Sequence, residues 1–313
     1  MKYSGIGGQA VIEGVMMKNR DEYAIAVRKP DGTIEVKKDA YVSMGEKVKL
    51  FSLPFFRGIF SFADSMILGM RALTFSASFF EDDEDSEPSG FEKLLERIFG
   101  EKMEKALMSM VMVFSVIMAI CIFMVLPLFL ANIFHRFIQS QTVMAVLEGV
   151  IRIGIFITYI KLVSRMEDIR RTFMYHGAEH KCINCLEHGL ELNVENVRKS
   201  SKEHKRCGTS FLLIVMIISI LFFMVIQVKT LPLRILSRII LIPVIAGVSY
   251  EFLRLAGRSD SKLVDIISRP GMWMQGLTTS EPDDSMIEVG IASVEAVFNW
   301  REFLGKNFPE NKS

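Results

Sequence analysis

The chain has 313 residues, half of them hydrophobic, and a formal net charge of only +1. Its mean hydropathy is positive, and a soluble protein of this size would have difficulty burying so much apolar side chain. The near-neutral charge gives no electrostatic reason to expect nucleic-acid binding. Composition therefore predicts a membrane protein whose main partner is the lipid bilayer, and we expect no nucleic acid among its partners.

The N-terminal segment, residues 1–48, is predicted to be a small cytoplasmic β-unit. Its first residues lack the apolar core of a secretory signal, so we expect them to stay untranslocated. Residues 9–17 are predicted to form a strand, and residues 23–42 to form strands on either side of a turn around Pro30-Asp31-Gly32. Alternating apolar and polar residues flank that turn, as expected for a hairpin.

Residues 49–106 are predicted to form interfacial or re-entrant helices followed by an acidic linker. The apolar stretch 50–80 carries three charges at intervals of seven residues: Arg57, Asp64 and Arg71. Two helical turns separate successive members, which gives one narrow polar stripe and favours a helix pair at the interface over a clean span. Residues 81–87 are acidic and indicate a solvated linker, and residues 91–105 indicate an amphipathic helix.

Four apolar runs are long enough to cross about 30 Å of hydrocarbon as helices. They cover residues 107–131, 143–160, 208–228 and 233–253. The second run contains Glu148 and Arg152 on one helical face, and the fourth contains Arg238 and Pro243. The predicted fold is mainly α, a polytopic helical membrane protein with two transmembrane hairpins, 107–163 and 208–256, around a loop at 164–207.

Loop charge predicts the orientation. Residues 161–206 contain ten Lys and Arg residues, far more than the other two links between spans. The positive-inside rule places this loop in the cytoplasm, with both termini on the same side of the cell membrane. In that reducing compartment, Cys182, Cys185 and Cys207 are expected as thiols or metal ligands and not as disulfides.

A His-x-x-Glu-His motif lies in the basic loop and is the most informative pattern in the chain. His176 and His180 are one helical turn apart and point the same way, which suits two nitrogen ligands on one zinc ion. Glu179 lies beside them, where it is placed to act as the catalytic base on a metal-bound water. Only five histidines occur in the whole chain, and two of them are here.

The position of the third ligand is predicted from the span boundaries. Glu251 is favoured because it ends the fourth span, with His204 and Cys207 as substitutes at the start of the third. The alternative for Glu251 is an ordinary ion pair with Arg254 or Arg258, and both interpretations stay open.

A second zinc arrangement uses other residues of the same loop. Cys182-x-x-Cys185 is followed after eighteen residues by His204-x-x-Cys207, the two-pair spacing of a closed structural site. The alternative is that Cys182 and Cys185 are small buried residues.

Other polar residues and the C-terminus are less informative. Glu13 is interpreted as an outward-facing strand residue, with a buried acid serving the site as the alternative. Glu148 with Arg152 is interpreted as an ion pair that locks the helix bundle, in preference to part of a transport path. In the predicted cytoplasmic segment 257–313, residues 270–279 are expected to be irregular and residues 285–304 to form a final amphipathic helix.

Several motifs together resemble those of the bacterial YqhQ family of multi-pass membrane proteins. They are Gly-Gly-Gln-Ala-Val-Ile-Glu-Gly-Val-Met-Met at 7–17, Tyr-His-Gly-Ala-Glu-His-Lys at 175–181, Arg-Cys-Gly-Thr-Ser-Phe at 206–211, Ser-Tyr-Glu at 249–251 and Pro-Gly-Met-Trp-Met-Gln at 270–275. The resemblance implies a predicted metal-dependent enzyme without a known substrate. It supports five positions as functional: His176, Glu179, His180, Cys207 and Glu251.

The same resemblance affects four further positions. It adds weight to Glu13 as a catalytic residue, since this residue lies within the first motif. Cys182 and Cys185 lie outside the fixed positions of the family, which argues against the structural zinc site. Lys205 is a departure, because the family more often has proline before Arg206-Cys207.

Three functional hypotheses follow. The first is a zinc-dependent hydrolase at the cytoplasmic leaflet, acting on a membrane peptide or a lipid head group. The second is a non-enzymatic scaffold or membrane-protein biogenesis factor with a structural metal or polar site. The third, a small transporter based on Glu148, Arg152 and Arg238, is less favoured because the chain shows no internal repeat.

Overall fold

The computed structural model describes residues 1–48, 51, 53–54, 56–80, 103–204, 207–228, 230–256 and 262–309. The predicted acidic linker, most of the predicted helix at 91–105, and the residues Lys205 and Arg258 lie outside this part of the chain. The chain divides into two compact units. The first contains Met1–Phe80, Thr158–Ile218 and Leu241–Ser313, and the second contains Glu81–Ile157 and Ser219–Ile240.

The N-terminal β-unit of the first compact unit is an antiparallel meander of four strands in the order β1-β2-β3-β4. The strands are β1 (Gly7–Val11), β2 (Gly14–Asn19), β3 (Glu22–Arg28) and β4 (Ile34–Ala40). The hairpin around Pro30-Asp31-Gly32 is therefore confirmed. The prediction of one strand over residues 9–17 is wrong, because Val11 pairs with Gly14 across a two-residue turn.

That first turn was hard to predict because apolar residues flank it closely on both sides and only Glu13 and Gly14 interrupt them. Glu13, its second residue, adopts the left-handed conformation with φ of 49°, as the residue at the third position of a type II turn does. Gly14 then allows close approach of the next strand, since a Cβ atom there would lie 2.4 Å from the carbonyl oxygen of Ala26. The chain reverses where the pattern alone indicates a continuous strand.

Twelve helices occur within the described residues. They are α1 (Met44–Lys47), α2 (Phe56–Ala77), α3 (Met103–Ile120), α4 (Leu126–Ile133), α5 (Gln141–Val163), α6 (Glu167–Glu187), α7 (Val194–Lys199), α8 (Gly208–Val225), α9 (Leu231–Ala256), α10 (Lys262–Thr278), α11 (Asp284–Val297) and α12 (Trp300–Asn307). A π-helical turn, Cys121–Val125, joins α3 to α4. The predicted mainly helical fold with a small β-unit is confirmed.

Both faces of the sheet are covered, as the alternation of its side chains requires. On one face, Val15, Met17 and Ala24 pack into a core with residues of α6 and α11. On the other face, Met16 and Ile25 pack against Leu68 and Ala72 of α2. The β-unit is thus part of a mixed α and β core in the first unit.

Helix α2 replaces the predicted helix pair, so that prediction is wrong within residues 56–80. Its polar stripe faces the β-unit in part: the buried Asp64 carboxylate accepts hydrogen bonds from the Tyr41 hydroxyl, at 2.7 Å, and from the backbone N–H of Met44. Burial, together with this carboxylate, raises the pKa of Tyr41 to about 12. The Arg71 guanidinium lies over the Tyr41 ring.

Four helical stretches are long and apolar enough to cross a membrane. They are Ser109–Arg136, Gln141–Val163, Gly208–Val225 and Pro232–Leu255. These match the four predicted spans and confirm a protein of the membrane. The cytoplasmic location of the loop and of both termini stays a prediction.

The C-terminal segment differs from expectation in two places. Residues up to Thr278 belong to α10 and are not irregular, although Pro270 and Gly271 normally interrupt a helix. Burial of Met274 and Gln275 outweighs that local signal. The predicted final helix is two helices, because Phe298 is extended and Asn299 caps α12 by accepting a hydrogen bond from the Glu302 N–H.

Candidate metal centre

Helix α6 carries the His-x-x-Glu-His motif through the core of the first unit. It begins with Glu167 and Asp168, whose charges suit the positive end of the helix. Nearly every residue of its second half is buried. His176 and His180 lie on one face, and their ring centroids are 4.4 Å apart. The predicted juxtaposition of the two imidazoles is therefore present.

Main-chain carbonyl groups orient both imidazoles. His176 Nδ1 lies 2.9 Å from the carbonyl oxygen of Thr278, and His180 Nδ1 lies 2.6 Å from that of Lys202. A carbonyl can only accept, so Nδ1 carries the hydrogen in both rings. Each Nε2 consequently has a lone pair to offer, as in histidines that bind metals through Nε2.

Cys207 completes a group of three ligand atoms with these histidines. Its Sγ lies 3.2 Å from His176 Nε2, and the ligand atoms of His176, His180 and Cys207 all lie within 4.8 Å of one another. Zinc bonds of about 2.0–2.3 Å in tetrahedral geometry separate neighbouring ligands by roughly 3.3–3.7 Å. Two nitrogens and one sulfur at these separations fit a zinc ion with small adjustments.

Hydrogen-bonding groups surround the Cys207 sulfur. The residue directly precedes α8, and the backbone N–H of Thr209 donates to Sγ at 3.4 Å. The Thr209 hydroxyl lies 3.1 Å from the same sulfur. The N-terminal end of a helix stabilises negative charge, so zinc binding can replace the thiol proton at this position.

Glu179 lies beside the three ligand atoms without being a member of their group. One carboxylate oxygen is 3.5 Å from His180 Nε2 and 3.9 Å from His176 Nε2. The residue is only 4% exposed, and Gly8 of β1 packs against its Cγ. A Glu179 carboxylate in this position can accept a proton from a group bound at the centre.

Comparison with known proteins identifies the family of this chain. Residues 53–300 match the family described as "Protein of unknown function (DUF1385)". The chain is also 35% identical over 288 residues to "Uncharacterized protein YqhQ" of Bacillus subtilis (strain 168), covering 92% of this chain and 90% of that protein. The chain belongs to this family. No solved structure matches it.

The family match covers all five of these positions, His176, Glu179, His180, Cys207 and Glu251, but Glu13 lies before it. Glu13 belongs to the β1–β2 turn and not to a strand. Its carboxylate accepts two hydrogen bonds from Arg171 and one from the Tyr175 hydroxyl. Burial raises the pKa of Tyr175, and the Glu13 charge adds to the effect. Glu13 therefore ties the turn to α6, and its catalytic role stays a prediction.

Glu251, the favoured third ligand, is not brought to the two histidines. Both of its carboxylate oxygens accept hydrogen bonds from Arg57, and these bonds raise the pKa of Arg57. His204 is nearer: its ring centroid is 5.7 Å from that of His180, and its Nε2 is 3.7 Å from Glu187. Cys207, a substitute in the sequence prediction, occupies the third position.

The alternative structural zinc site is not assembled by the residues predicted for it. Cys182 and Cys185 lie in the hydrophobic core, and Gly290 of α11 packs close to the Cys182 sulfur. Burial raises the pKa of Cys182 and raises that of Cys185 to about 11. Both thiols behave as small buried residues, the alternative that the sequence left open.

A network of buried polar side chains that the sequence did not reveal supports the centre. Lys181 donates to the carbonyls of Arg198 and Ser200, and Asn184 donates to those of Ser201 and Glu203. These contacts hold the segment that presents the Lys202 carbonyl to His180. One signal in the sequence could have indicated this network. Lys181 and Asn184 are polar residues on the buried face of α6, and buried polar groups require hydrogen-bond partners.

Gln275 of α10 supports the same loop at its next described residue, His204. Its side-chain amide accepts from the His204 N–H at 2.8 Å and donates to the His204 carbonyl at 2.7 Å. The amide also donates to the Ser210 hydroxyl. Gln275 thereby connects α10 both to the loop before Cys207 and to the first turn of α8.

Gly177 is expected to be sensitive to substitution. A Cβ atom there would lie 2.1 Å from the Ser280 carbonyl oxygen, so Gly177→Ala must displace the segment next to the Thr278 carbonyl. We expect the free energy of unfolding of the full chain to fall by about 1–3 kcal/mol, measured by denaturant titration in detergent. Gly276→Ala is the control, because its Cβ would have no neighbour within 4 Å. Equal stability of the two variants would contradict this prediction.

Proposed function

We propose that the chain is a zinc-dependent hydrolase of the membrane, with His176, His180 and Cys207 as metal ligands. The observation that carries the proposal is the fixed orientation of the two imidazoles. Carbonyl groups hold both Nδ1 atoms, so both Nε2 atoms face the centre near the Cys207 sulfur. Three protein ligands with a free fourth position are typical of catalytic zinc sites.

The neighbouring acid supports hydrolysis over a purely structural role. A zinc ion in this centre would supply Lewis acidity toward water. Glu179 accepts the proton of the attacking water and returns it to the leaving group. Its low exposure limits bulk water around that carboxylate, and zinc bound through both Nε2 atoms would leave the histidines no free lone pair with which to act as competing bases.

The location of Cys207 favours a substrate in the membrane. This residue immediately precedes Gly208–Val225, one of the four membrane-spanning candidates, so the centre lies near the end of a span. A membrane peptide or a lipid head group reaches a centre near the end of a span without leaving the bilayer. Loop charge supports the cytoplasmic leaflet as the location of this end.

Metal content tests the proposal most directly. We expect about one zinc ion per purified wild-type chain and less than about one tenth of that in His176→Ala, because removing a ligand from a three-ligand site weakens binding strongly. Elemental mass spectrometry of the detergent-purified full chain measures both. His188→Ala is the matched control, since His188 is an exposed imidazole just after the same helix.

The same measurement separates the two candidate third ligands. Cys207→Ala should lose the metal, whereas Glu251→Gln should retain it, because Glu251 contacts Arg57. A metal-free wild type, or equal loss in His176→Ala and His188→Ala, would refute the metal centre. Loss in Glu251→Gln alone would reassign the third ligand.

The scaffold hypothesis rests on one alternative geometry. If the Glu179 carboxylate moved about 1–2 Å closer, it would become a fourth ligand and close the coordination sphere. Glu179→Gln would then release the metal. Under the hydrolase proposal the same variant keeps its metal, so a single measurement separates the two functions.

A further inference from the structure

A second polar centre lies within the second unit, among the membrane-spanning segments. Glu148 of α5 accepts a hydrogen bond from Arg152 at 2.7 Å and another from Arg238 of α9. Both guanidinium groups also lie over the Phe223 ring, at 5.3 and 4.6 Å from its centroid. One carboxylate therefore receives hydrogen bonds from two arginines.

The two arginines differ in how well their donors are satisfied. Arg152 also donates to the Phe123 carbonyl and to the Ser219 hydroxyl. Arg238 is only 7% exposed, yet its Nε and Nη1 have no hydrogen-bond partner within the described part of the chain. Buried charged donors without an acceptor are costly. Arg238 thus has two buried donors that no described residue satisfies.

Charge balance indicates that the acceptor for the two Arg238 donors is an anion. Glu148 is the only acidic residue in the sequence between residues 107 and 157 and between residues 219 and 240. It faces Arg152 and Arg238, while Arg234 lies one helical turn before Arg238 on the same face. A single carboxylate cannot neutralise three guanidinium groups in an apolar environment.

A cavity lies beside Glu148 and two of these arginines, Arg234 and Arg238. It is lined by residues that include Glu148, Arg234, Arg238, Gln227 and Gln141. Its volume of about 40 Å³ is room for roughly three water-sized groups, close to the size of a small oxyanion. The lining residue Gln141 is the first residue of α5, so side chains from the first turns of this helix contribute to the cavity.

We propose that this cavity binds a phosphate oxyanion, supplied either by a lipid head group or by free phosphate. Arginine forks suit phosphate oxygens, and phosphate adds the negative charge that Glu148 alone does not provide. Glu148 holds Arg238 in place beside the cavity. This site is independent of the metal centre. The ion pair between Arg238 and Glu148 alone would leave two hydrogen-bond donors of Arg238 without an acceptor among the described residues.

The full chain, purified in detergent, tests the proposal with two probes. Inorganic phosphate is titrated calorimetrically, and phosphatidylglycerol is compared by native mass spectrometry with a diacylglycerol of the same chains. We expect Arg238→Gln to weaken binding of the effective probe about tenfold or more, because charge-assisted hydrogen bonds are lost. Arg136→Gln is the matched control, since Arg136 is exposed and does not line the cavity.

The outcomes separate the source of the phosphate. Binding of inorganic phosphate that depends on Arg238 indicates a soluble ligand, whereas selective retention of phosphatidylglycerol indicates a lipid. If Arg238→Gln does not fold, Arg234→Gln serves as the second variant, because this half-buried residue lines the same cavity. Failure of both probes to bind the wild type overturns the proposal, as does equal weakening by Arg238→Gln and Arg136→Gln.

Discussion

Glu179→Gln is expected to remove nearly all hydrolytic activity while the protein keeps its metal. General acid and base catalysis contributes about 10²- to 10⁴-fold, and an amide cannot accept the proton of the attacking water. Cells that carry only this variant should accumulate uncleaved substrate. Comparative mass spectrometry of membrane lipids and membrane peptides measures the accumulation, and His176→Ala should accumulate the same molecules.

Glu191→Gln is the matched control for this prediction, since Glu191 is an exposed glutamate beyond the end of α6. It should leave the membrane profile of the wild type unchanged. If Glu179→Gln keeps its metal and also leaves the profile unchanged, the hydrolase proposal fails while the metal centre stands.

Glu148→Ala is expected to cause the largest loss of stability among single substitutions in the second unit. Removing one partner of a buried ion pair leaves the other charge uncompensated, at a cost of about 3–5 kcal/mol. Here two arginines lose their shared acceptor. Unfolding in mixed micelles with increasing SDS measures the change, and Arg136→Ala is the control.

A stability of Glu148→Ala within about 0.5 kcal/mol of the wild type, the usual range for surface substitutions, would contradict this prediction. It would mean that Arg152 and Arg238 find other acceptors at no cost. The interpretation of Glu148 as the residue that locks this part of the bundle would then be wrong.

The spans and the paired histidines could be predicted because their signals are local. Apolar runs define the four spans, and two histidines four residues apart share a helical face wherever the helix lies. The choice of Cys207 over Glu251 is different, because it depends on contacts distant in sequence. Arg57 precedes Glu251 by 194 residues, and no local pattern connects them.

The turn at Glu13 and helix α10 illustrate the same limit. Glu13 and Gly14 are the only interruption of the apolar run from Ala10 to Met17, so strand pairing with β2 had to decide where the chain reverses. In α10, Pro270 and Gly271 indicate irregular structure, but buried Met274 and Gln275 favour the helix. Tertiary packing outweighed local propensity in both places.

The carbonyl groups that orient His176 and His180 have an evolutionary consequence. They belong to Thr278 and Lys202, and every amino acid carries the same carbonyl. The Lys202 side chain takes no part in the contact with His180. Substitutions that accumulate at position 202 should therefore leave the imidazole orientation intact. The residues under constraint are instead those that fix the main chain, such as Asn184 and Gln275. Selection for the same chemistry would therefore show at sites that never touch a ligand atom.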